Sequence, residues 1–320
     1  MKHPIFTATA SALIAVFLTV FGLWPGQGAQ KQSVRMVALV LDTSIGVNSA
    51  VIAQGAQMAA REYGAELTVS ALSKTDAPER QLSLIREALD EGASAILLVP
   101  AQERLVSEAV RLCELHHANL VLLDACESSR GKTPYVGTDH MASGIKAAET
   151  LLNITGAKRL LILTSGDQIS SERLRGAKLA AARQGAEAVV FRVRIVGDSP
   201  GDEGIRGMLA QHTDASAVLC LDGTLTECTA RGIEEMGMKR QMTLAGFDCD
   251  QTHIDCLESG SVRFTVLREP LAVGYEGFKC LMDMMNWDMA IPIKYVDVAV
   301  IMREDILKPQ NVRLVFPLIQ

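Results

Sequence analysis

The chain carries no excess of positive charge. Its 31 lysines and arginines stand against 37 aspartates and glutamates, a net charge of −6. A phosphate backbone is held by a basic field, so this balance argues against nucleic acid as a partner. Catalytic signatures are missing too: the spacing G-x-S-x-G occurs only as GDSPG, Gly197–Gly201, within the acidic stretch GDSPGDEG, and there is no G-x-x-x-x-G-K-[ST] loop, no G-x-G-x-x-G after the first apolar run and no H-E-x-x-H. An enzyme is therefore the weaker reading, and no cofactor is implied. Nor is there a low-complexity stretch or a long Gly/Ser linker, so two domains would be packed side by side and not strung apart. The 7 cysteines, at positions 113, 126, 220, 228, 249, 256 and 280, fall at no zinc or redox spacing. Cys249 and Cys256 sit close enough for a local bridge. An odd count leaves at least one thiol unpaired, and small buried thiols are the general expectation in so apolar a chain.

What is present describes a large globular chain. At 320 residues, 48% hydrophobic and 21% charged, it exceeds one average domain and can bury large cores, so two domains are the default. Lys2, the charge-free run Ile5–Trp24 and the break Pro25-Gly26-Gln27-Gly28 read as a targeting segment with small residues for cleavage. Residues 1–29 are thus expected to be a signal peptide and the mature chain to be exported. The same run is about 20 residues, enough to span a bilayer as a helix, so an uncleaved membrane anchor stays open.

After residue 33 the pattern alternates. Short apolar runs occur at Val34–Leu41, Leu67–Leu72, Ala95–Val99, Leu120–Asp124, Leu160–Thr164, Val189–Val196, Ala217–Leu221 and Met242–Phe247. Between most of them lie segments with helical spacing: Ser49–Tyr63, Pro78–Glu91, Glu103–His116, Met141–Thr155, Ser171–Gln184 and Thr226–Met236. Such alternation predicts an α/β fold of parallel sheets with helices on both faces. The repeat before and after Tyr135 predicts two similar halves, with Tyr135–His140, Leu267–Pro270 and Trp287–Ile293 as the crossings between them.

Several runs end in an acid: Asp42, Asp124, Asp222 and Asp248. Ligands of open α/β sheets bind beyond the carboxyl ends of the strands, so these acids would line a polar cleft, although an isolated one could equally cap a helix. In ISSERLRGAKLAAARQG, Arg173 and Arg175 fall in what reads as a first helical turn, where the helix dipole disfavours cations unless something compensates. Arg173 either donates to a ligand or is solvated beside Glu172 or Asp167. Arg268 and Glu269, before Pro270, either lock a crossing or face the cleft. Two other groups read as structural. Cys113 with His116 and His117 ends an amphipathic helix, where histidine suits the dipole, and no metal is expected there. Gly197–Gly204, GDSPGDEG, lacks the partners of a phosphate cradle and reads as a surface loop.

Taken in order, VALVLDTSIGVNSAVIAQGAQMAAREYGAELTV, LIREALDEGASAILLVPAQ, NLVLLDA, YVGTDHMASGIKAAETL, SSERLRGAKLAA, ASAVLCLDGTLTECTARGIEEMG and LAGFDCDQTHIDCLESGSVRFTVLREPLAVGYEG resemble the extracytoplasmic sugar-binding proteins of ABC importers. This is the ribose-binding-protein-like group, type 1 periplasmic binding proteins, related to lactose-repressor effector domains. The resemblance covers about residues 34 to 307. It implies two Rossmann-like lobes with parallel sheets joined by a three-strand hinge, 34–137 plus 269–290 forming the N-terminal lobe and 138–268 plus 291–320 the C-terminal lobe. The family's sugar-holding positions fall on Asp124, Arg173, Asp222, Asp248 and Arg268. Asn48 and Ser49 stand where the family supplies aromatics that sandwich the sugar ring; Val99 and Ala125 replace an expected Asn and Arg. With 4% aromatics overall, the cleft departs from a plain pentose or hexose site, and two arginines facing three aspartates could hold a zwitterionic, acidic or heavily hydroxylated solute.

The resemblance therefore implies a monomeric extracytoplasmic protein that captures a small polar solute, a sugar or sugar derivative, by hinge closure and hands it to an ABC permease. The alternative is a ligand sensor feeding a membrane histidine kinase or chemoreceptor. A transcription regulator would need a basic helix-turn-helix where the apolar leader stands. Arg173→Ala and Asp248→Ala are each expected to lower affinity with little change in the melting temperature of the ligand-free protein.

Overall fold

A computed structural model describes residues 36–42, 47–73, 75–125, 131–193, 195–196, 199–200, 202–248, 251–287 and 293–316. The leader at 1–29 and the cysteines at 126 and 249 lie outside the described residues, and with Cys249 so does the suggested bridge to Cys256. All elements below belong to one compact unit, Met36–Gln320.

From β1 (Met36–Leu41) the chain runs through α1 (Val47–Tyr63), β2 (Glu66–Ala71), α2 (Arg80–Asp90), β3 (Ala95–Leu98), α3 (Val106–Leu115), β4 (Asn119–Leu123) and β5 (Tyr135–Thr138). A second series follows: α4 (His140–Thr155), β6 (Arg159–Thr164), α5 (Gln168–Arg183), β7 (Glu187–Arg192), the short β8 (Ile195–Val196) and β9 (Ser199–Pro200), α6 (Asp202–Gln211) and β10 (Ala217–Cys220). It continues with α7 (Gly223–Glu235), β11 (Thr243–Phe247), α8 (Gln251–Ser259) and β12 (Phe264–Leu267). Then come α9 (Pro270–Trp287), β13 (Ile293–Val296), β14 (Ala299–Met302) and α10 (Pro309–Val315).

The strands form two large sheets, ordered β13-β5-β4-β3-β1-β2 and β14-β12-β11-β10-β6-β7. The first is parallel throughout. In the second only β14 runs antiparallel, to β12. Runs such as VALVL and AILL stay apolar without alternation because both sheet faces are covered. Along β1, Val37, Leu39 and Leu41 pack under α1 and α9, while Ala38 and Val40 meet the residues of α2 and α3 on the opposite face. The second sheet is covered the same way, with Leu161 and Leu163 in one core and Leu160 and Ile162 in the other. The chain is thus α/β and two-lobed.

Three crossings join the sheets: after β5, after β12, and between β13 and β14. The third departs from the sequence reading. Ile293–Val296 lies in the first sheet, parallel to Tyr135–Thr138 of β5, so 293–296 does not belong to the C-terminal lobe and the passage to the second sheet falls at Asp297–Val298; of the expected crossing Trp287–Ile293, residues 288–292 lie outside the described residues. The run IKYV is mostly exposed at a sheet edge, which is why it gives no apolar signal. Lys146 Nζ on α4 donates to the Val298 carbonyl at 2.6 Å and braces this passage.

The halves repeat in detail. A Cβ at Gly55 of α1 would come within 2.0 Å of the Leu271 carbonyl oxygen on α9, and one at Gly176 of α5 within 2.0 Å of the Met141 carbonyl oxygen on α4. Each glycine occupies the same position counted from its helix start, and each carbonyl belongs to the second residue of the facing helix. Two further departures are local. Asp202–Gly204, read as surface loop, opens α6, and Val189–Val196 is divided between β7 and β8.

Candidate functional site

The carboxyl ends of the parallel strands bring together residues that lie far apart in the chain. Asp124 directly follows β4 and Asp248 directly follows β11; each backbone is left-handed, with φ of 46° and 63°. Asp tolerates this region better than bulky residues do, because its short polar side chain bonds locally. The amide of Asp124 donates to the Val136 carbonyl and that of Asp248 to the Val266 carbonyl, both at 3.0 Å. The two acids are therefore equivalent positions of the repeated halves.

Arg268, directly after β12, joins them. Its Nη1 donates to Asp124 Oδ2 at 2.6 Å and its Nε to Asp248 Oδ1 at 3.1 Å. Arg173 completes the set, with Nη1 donating to the Leu221 carbonyl at 2.7 Å and to Asp248 Oδ2 at 3.4 Å. Its guanidinium carbon lies 4.1 Å from the centre of the Phe247 ring, a cation–π contact. The result is a chain Asp124–Arg268–Asp248–Arg173 that ties one lobe to the other.

Arg173 is 2% exposed, so the solvated alternative fails. The electrostatic reason for suspecting it fails as well. α5 is capped by Asp167, whose carboxylate accepts from the Ser170 amide at 2.8 Å. The helix therefore starts earlier than its serines suggested, and Arg173 and the exposed Arg175 lie beyond the first turn. The expectation that Arg173→Ala and Asp248→Ala change the melting temperature of the ligand-free protein little now has an argument against it, since each removes one partner of a buried ion pair. Arg268 pairs with Asp124 and Asp248 rather than with its neighbour Glu269.

Burial acts against every charge here, and the partners decide the outcome. It would raise the pKa of Asp248, but Arg268 and Arg173 hold that carboxyl well below the usual range. Burial opposes ionisation of Asp124 in the same way and Arg268 overcomes it. Arg268 is held cationic against burial by Asp248 and Asp124. For Arg173, burial and the neighbouring Arg268 outweigh Asp248 and lower its pKa. His140, the first residue of α4, is driven down to about 3 by burial, with Arg173 and Arg268 adding. Its ring is neutral at physiological pH.

The other expected residues sit apart from the ion chain. Asp222 caps α7, accepting from the Leu225 amide at 2.9 Å through Oδ1. Its Oδ2 is buried without a hydrogen-bond partner, and burial, then Asp167, raises its pKa. Asp222 therefore caps the helix through one oxygen, as the sequence also allowed, and the other is left over. Ser49 is buried and its hydroxyl donates to the Asp42 carbonyl at 2.5 Å, which ties the start of α1 to the end of β1. Asn48 is half-buried beside it. Cys113 faces the core, its thiol pushed up to about 12 by burial, whereas His116 and His117 are exposed. Among the described residues no cluster of His, Cys, Asp and Glu is arranged to hold a metal.

Sequence reasoning missed two residues, His140 and Thr138. Both nitrogens of the His140 ring and the hydroxyl of Thr138 are buried and unpartnered. In the sequence TDH these look like an ordinary helix start, and Asp139 does cap α4.

Two doubly wound lobes, with ionised side chains from both meeting at their strand ends, define the class: a two-lobed α/β ligand-binding protein. The chain belongs to the periplasmic binding protein domain family, whose profile matches residues 40–287. It is similar to the ribose import binding protein RbsB of Haemophilus influenzae, with 24% identity over 279 residues, 85% of this chain and 90% of the relative. In fold it is similar to GanP, a glucose-galactose binding protein from Geobacillus stearothermophilus, at a TM-score of 0.73 and 21% identity, covering 87% of this chain and 100% of that one. A mutant XylFII–LytSN complex contains a chain of the same fold, at a TM-score of 0.69 and 19% identity, covering 85% of this chain and 99% of that one. The family is one of binding proteins, and this chain is a binding protein and not an enzyme.

Proposed function

We propose that this is an extracytoplasmic solute-binding protein that closes on one neutral, polyhydroxylated solute, a sugar or sugar derivative, and delivers it to an ABC permease. One observation carries the reading. Among the described residues, the buried side-chain polar atoms without a partner are Thr138 Oγ1, both His140 nitrogens, Arg173 Nε and Asp222 Oδ2. All belong to residues at strand ends or around the ion chain, where both donors and acceptors are left over. Buried polar groups are normally satisfied, so side chains at the strand ends that have no protein partner favour a hydrogen-bonding guest there.

The charge of the site argues for a neutral guest. Asp124 and Asp248 balance Arg268 and Arg173 within direct ion pairs, so these four hold no net charge against which a charged solute could be neutralised, and burial of Asp222 works against a further negative charge beside them. Charge-assisted bonds from such groups to hydroxyls are shorter and about twice as strong as neutral ones. The ribose-import and glucose-galactose relatives support a sugar. Asn48 and Ser49 in place of ring-stacking aromatics support polar recognition at that wall. Lys2 and the charge-free run Ile5–Trp24 support export; among the described residues no helix is long and apolar enough to cross a membrane.

The test is a thermal-shift screen of the purified protein against neutral pentoses and hexoses, sugar acids, amino sugars and amino acids. A guest that binds only the folded form raises stability by RT ln(1 + [L]/Kd). Neutral sugars are expected to raise the melting temperature and the charged classes are not; no shift with any neutral sugar would overturn the proposal. A second reading, ligand sensing through a membrane protein, is favoured by the fold neighbour found in the XylFII–LytSN complex. Capture of a membrane permease by the sugar-loaded protein supports delivery, and capture of a signalling receptor supports sensing.

A further inference from the structure

We infer that His140 is a solute-reading residue of this site, its ring nitrogens supplying one donor and one acceptor to hydroxyls of a neutral sugar. The inference rests on the proposed binding function and adds a residue to it.

The geometry comes first. His140 opens α4 at the first crossing, is 1% exposed, and has no hydrogen-bond partner at either ring nitrogen. A neutral imidazole needs one donor and one acceptor opposite it. A histidine with only a structural role would be tied to a carboxylate or carbonyl, yet the charged groups around it are engaged elsewhere. Asp124 gives Oδ2 to Arg268 and Oδ1 to the Thr138 amide. Asp248 is shared by Arg268 and Arg173. The local backbone offers nothing, since Asp139 caps the helix and the His140 carbonyl already accepts from the Ser143 hydroxyl at 2.8 Å. Among the described residues none serves the ring, so its partners are supplied by solvent or by a solute that displaces solvent.

The chemistry of that partner follows. A carboxylate can only accept and an ammonium can only donate, so each would serve one nitrogen. A hydroxyl does both. The equivalent position on α9 is Pro270, which offers no polar side chain, and there Arg268 reaches in from the crossing instead. The two lobes thus contribute unlike groups, a neutral ring from one crossing and a cation from the other. A ring this deeply covered meets solute only when the lobes part, which fits a guest enclosed on closure.

The experiment is isothermal titration of wild type, His140→Phe and His140→Asn with D-ribose, D-allose, D-glucose and D-galactose, together with the melting temperature of each variant without sugar. Phe keeps the ring and removes both polar atoms; Asn keeps a donor and an acceptor. For the sugars that wild type binds, His140→Phe is expected to weaken binding about tenfold, with an unchanged or higher melting temperature without sugar, because unsatisfied buried polar atoms have been removed. His140→Asn should stay within about threefold of wild type. If the Phe variant does not fold, His140→Leu replaces it. Wild-type affinity in a folded Phe or Leu variant would overturn the assignment while leaving the binding function intact. Equal losses in the Phe and Asn variants, both folded, would overturn the donor-and-acceptor role. Any further neutral sugar that the thermal-shift screen finds is titrated as well, and failure of wild type to bind any neutral sugar would overturn the function and this assignment with it.

Discussion

Asp248 is the residue on which the ion chain turns. It accepts from Arg268 and from Arg173, and its φ of 63° is one that alanine adopts poorly. Asp248→Ala should therefore cost about 3–5 kcal/mol of stability, since it leaves the buried Arg173 without a carboxylate and Arg268 with Asp124 alone, and should abolish sugar binding. Asp248→Asn, which tolerates the backbone and keeps an acceptor, should cost less. Urea unfolding with titration checks both, and equal stability of wild type and the Ala variant would contradict the ion chain. His140 makes a second prediction at this scale. Its pKa of about 3 in the folded protein compares with roughly 6.5 in an unfolded chain. Between those values the unfolded chain takes up a proton that the native one refuses, so this residue makes stability rise with pH and fall on acidification. The contribution approaches about 1.4 kcal/mol per pH unit. His140→Phe should flatten the unfolding free energy between about pH 6 and about pH 4.5 by up to that slope; parallel profiles for the two proteins would contradict it. At this scale the sequence displays the acids, because Asp124 and Asp248 each end an apolar run. It displays Arg173 only through a misjudged helix start, and it hides His140, since nothing in TDH distinguishes a buried imidazole from a solvated one.

Elements were legible where burial is complete and obscure where it is not. β1, β3, β4, β6, β10 and β11 are apolar along nearly their whole length because helices cover both faces, and each stands out as a run. β13 is mostly exposed and β14 only partly buried, so neither does, and with β13 the third crossing was misplaced by a few residues. α6 begins among glycines and acids that also suit a loop. The same contrast between tight and open surroundings governs substitutions in helices. Gly176→Ala would drive a Cβ to within 2.0 Å of the Met141 carbonyl oxygen, and forcing α4 and α5 apart should cost about 1–3 kcal/mol or more. Gly204, in α6, has nothing within 4 Å of its would-be Cβ. Gly204→Ala should therefore stabilise by about 0.5–1 kcal/mol through the smaller entropy of the unfolded chain. Opposite shifts in melting temperature check the pair, and a neutral Gly176→Ala would mean that the two helices do not approach this closely in solution.

For the whole molecule, the consequence lies in what joins the lobes. The covalent connections are three short crossings, and Arg268 stands on one of them, bonded to Asp124 of the first lobe and Asp248 of the second. Removing its charge leaves Asp124 and Asp248 facing Arg173 alone, an excess of negative charge in a buried place, and relief comes most directly by letting water in between the lobes. Arg268→Gln should therefore shift the sugar-free protein toward a more open form, visible as a larger radius of gyration in small-angle X-ray scattering. Saturating sugar should draw the variant back toward the wild-type value, since a guest can move the equilibrium by as much as its affinity differs between the two forms. The variant should also gain a dependence of affinity on salt that wild type lacks, because a buried set with no net charge presents little field to screen, whereas one with an uncompensated carboxylate does. An unchanged radius of gyration and an unchanged salt response in Arg268→Gln would mean that the crossings alone set the angle between the lobes, and that the ion chain only fills the space where they meet.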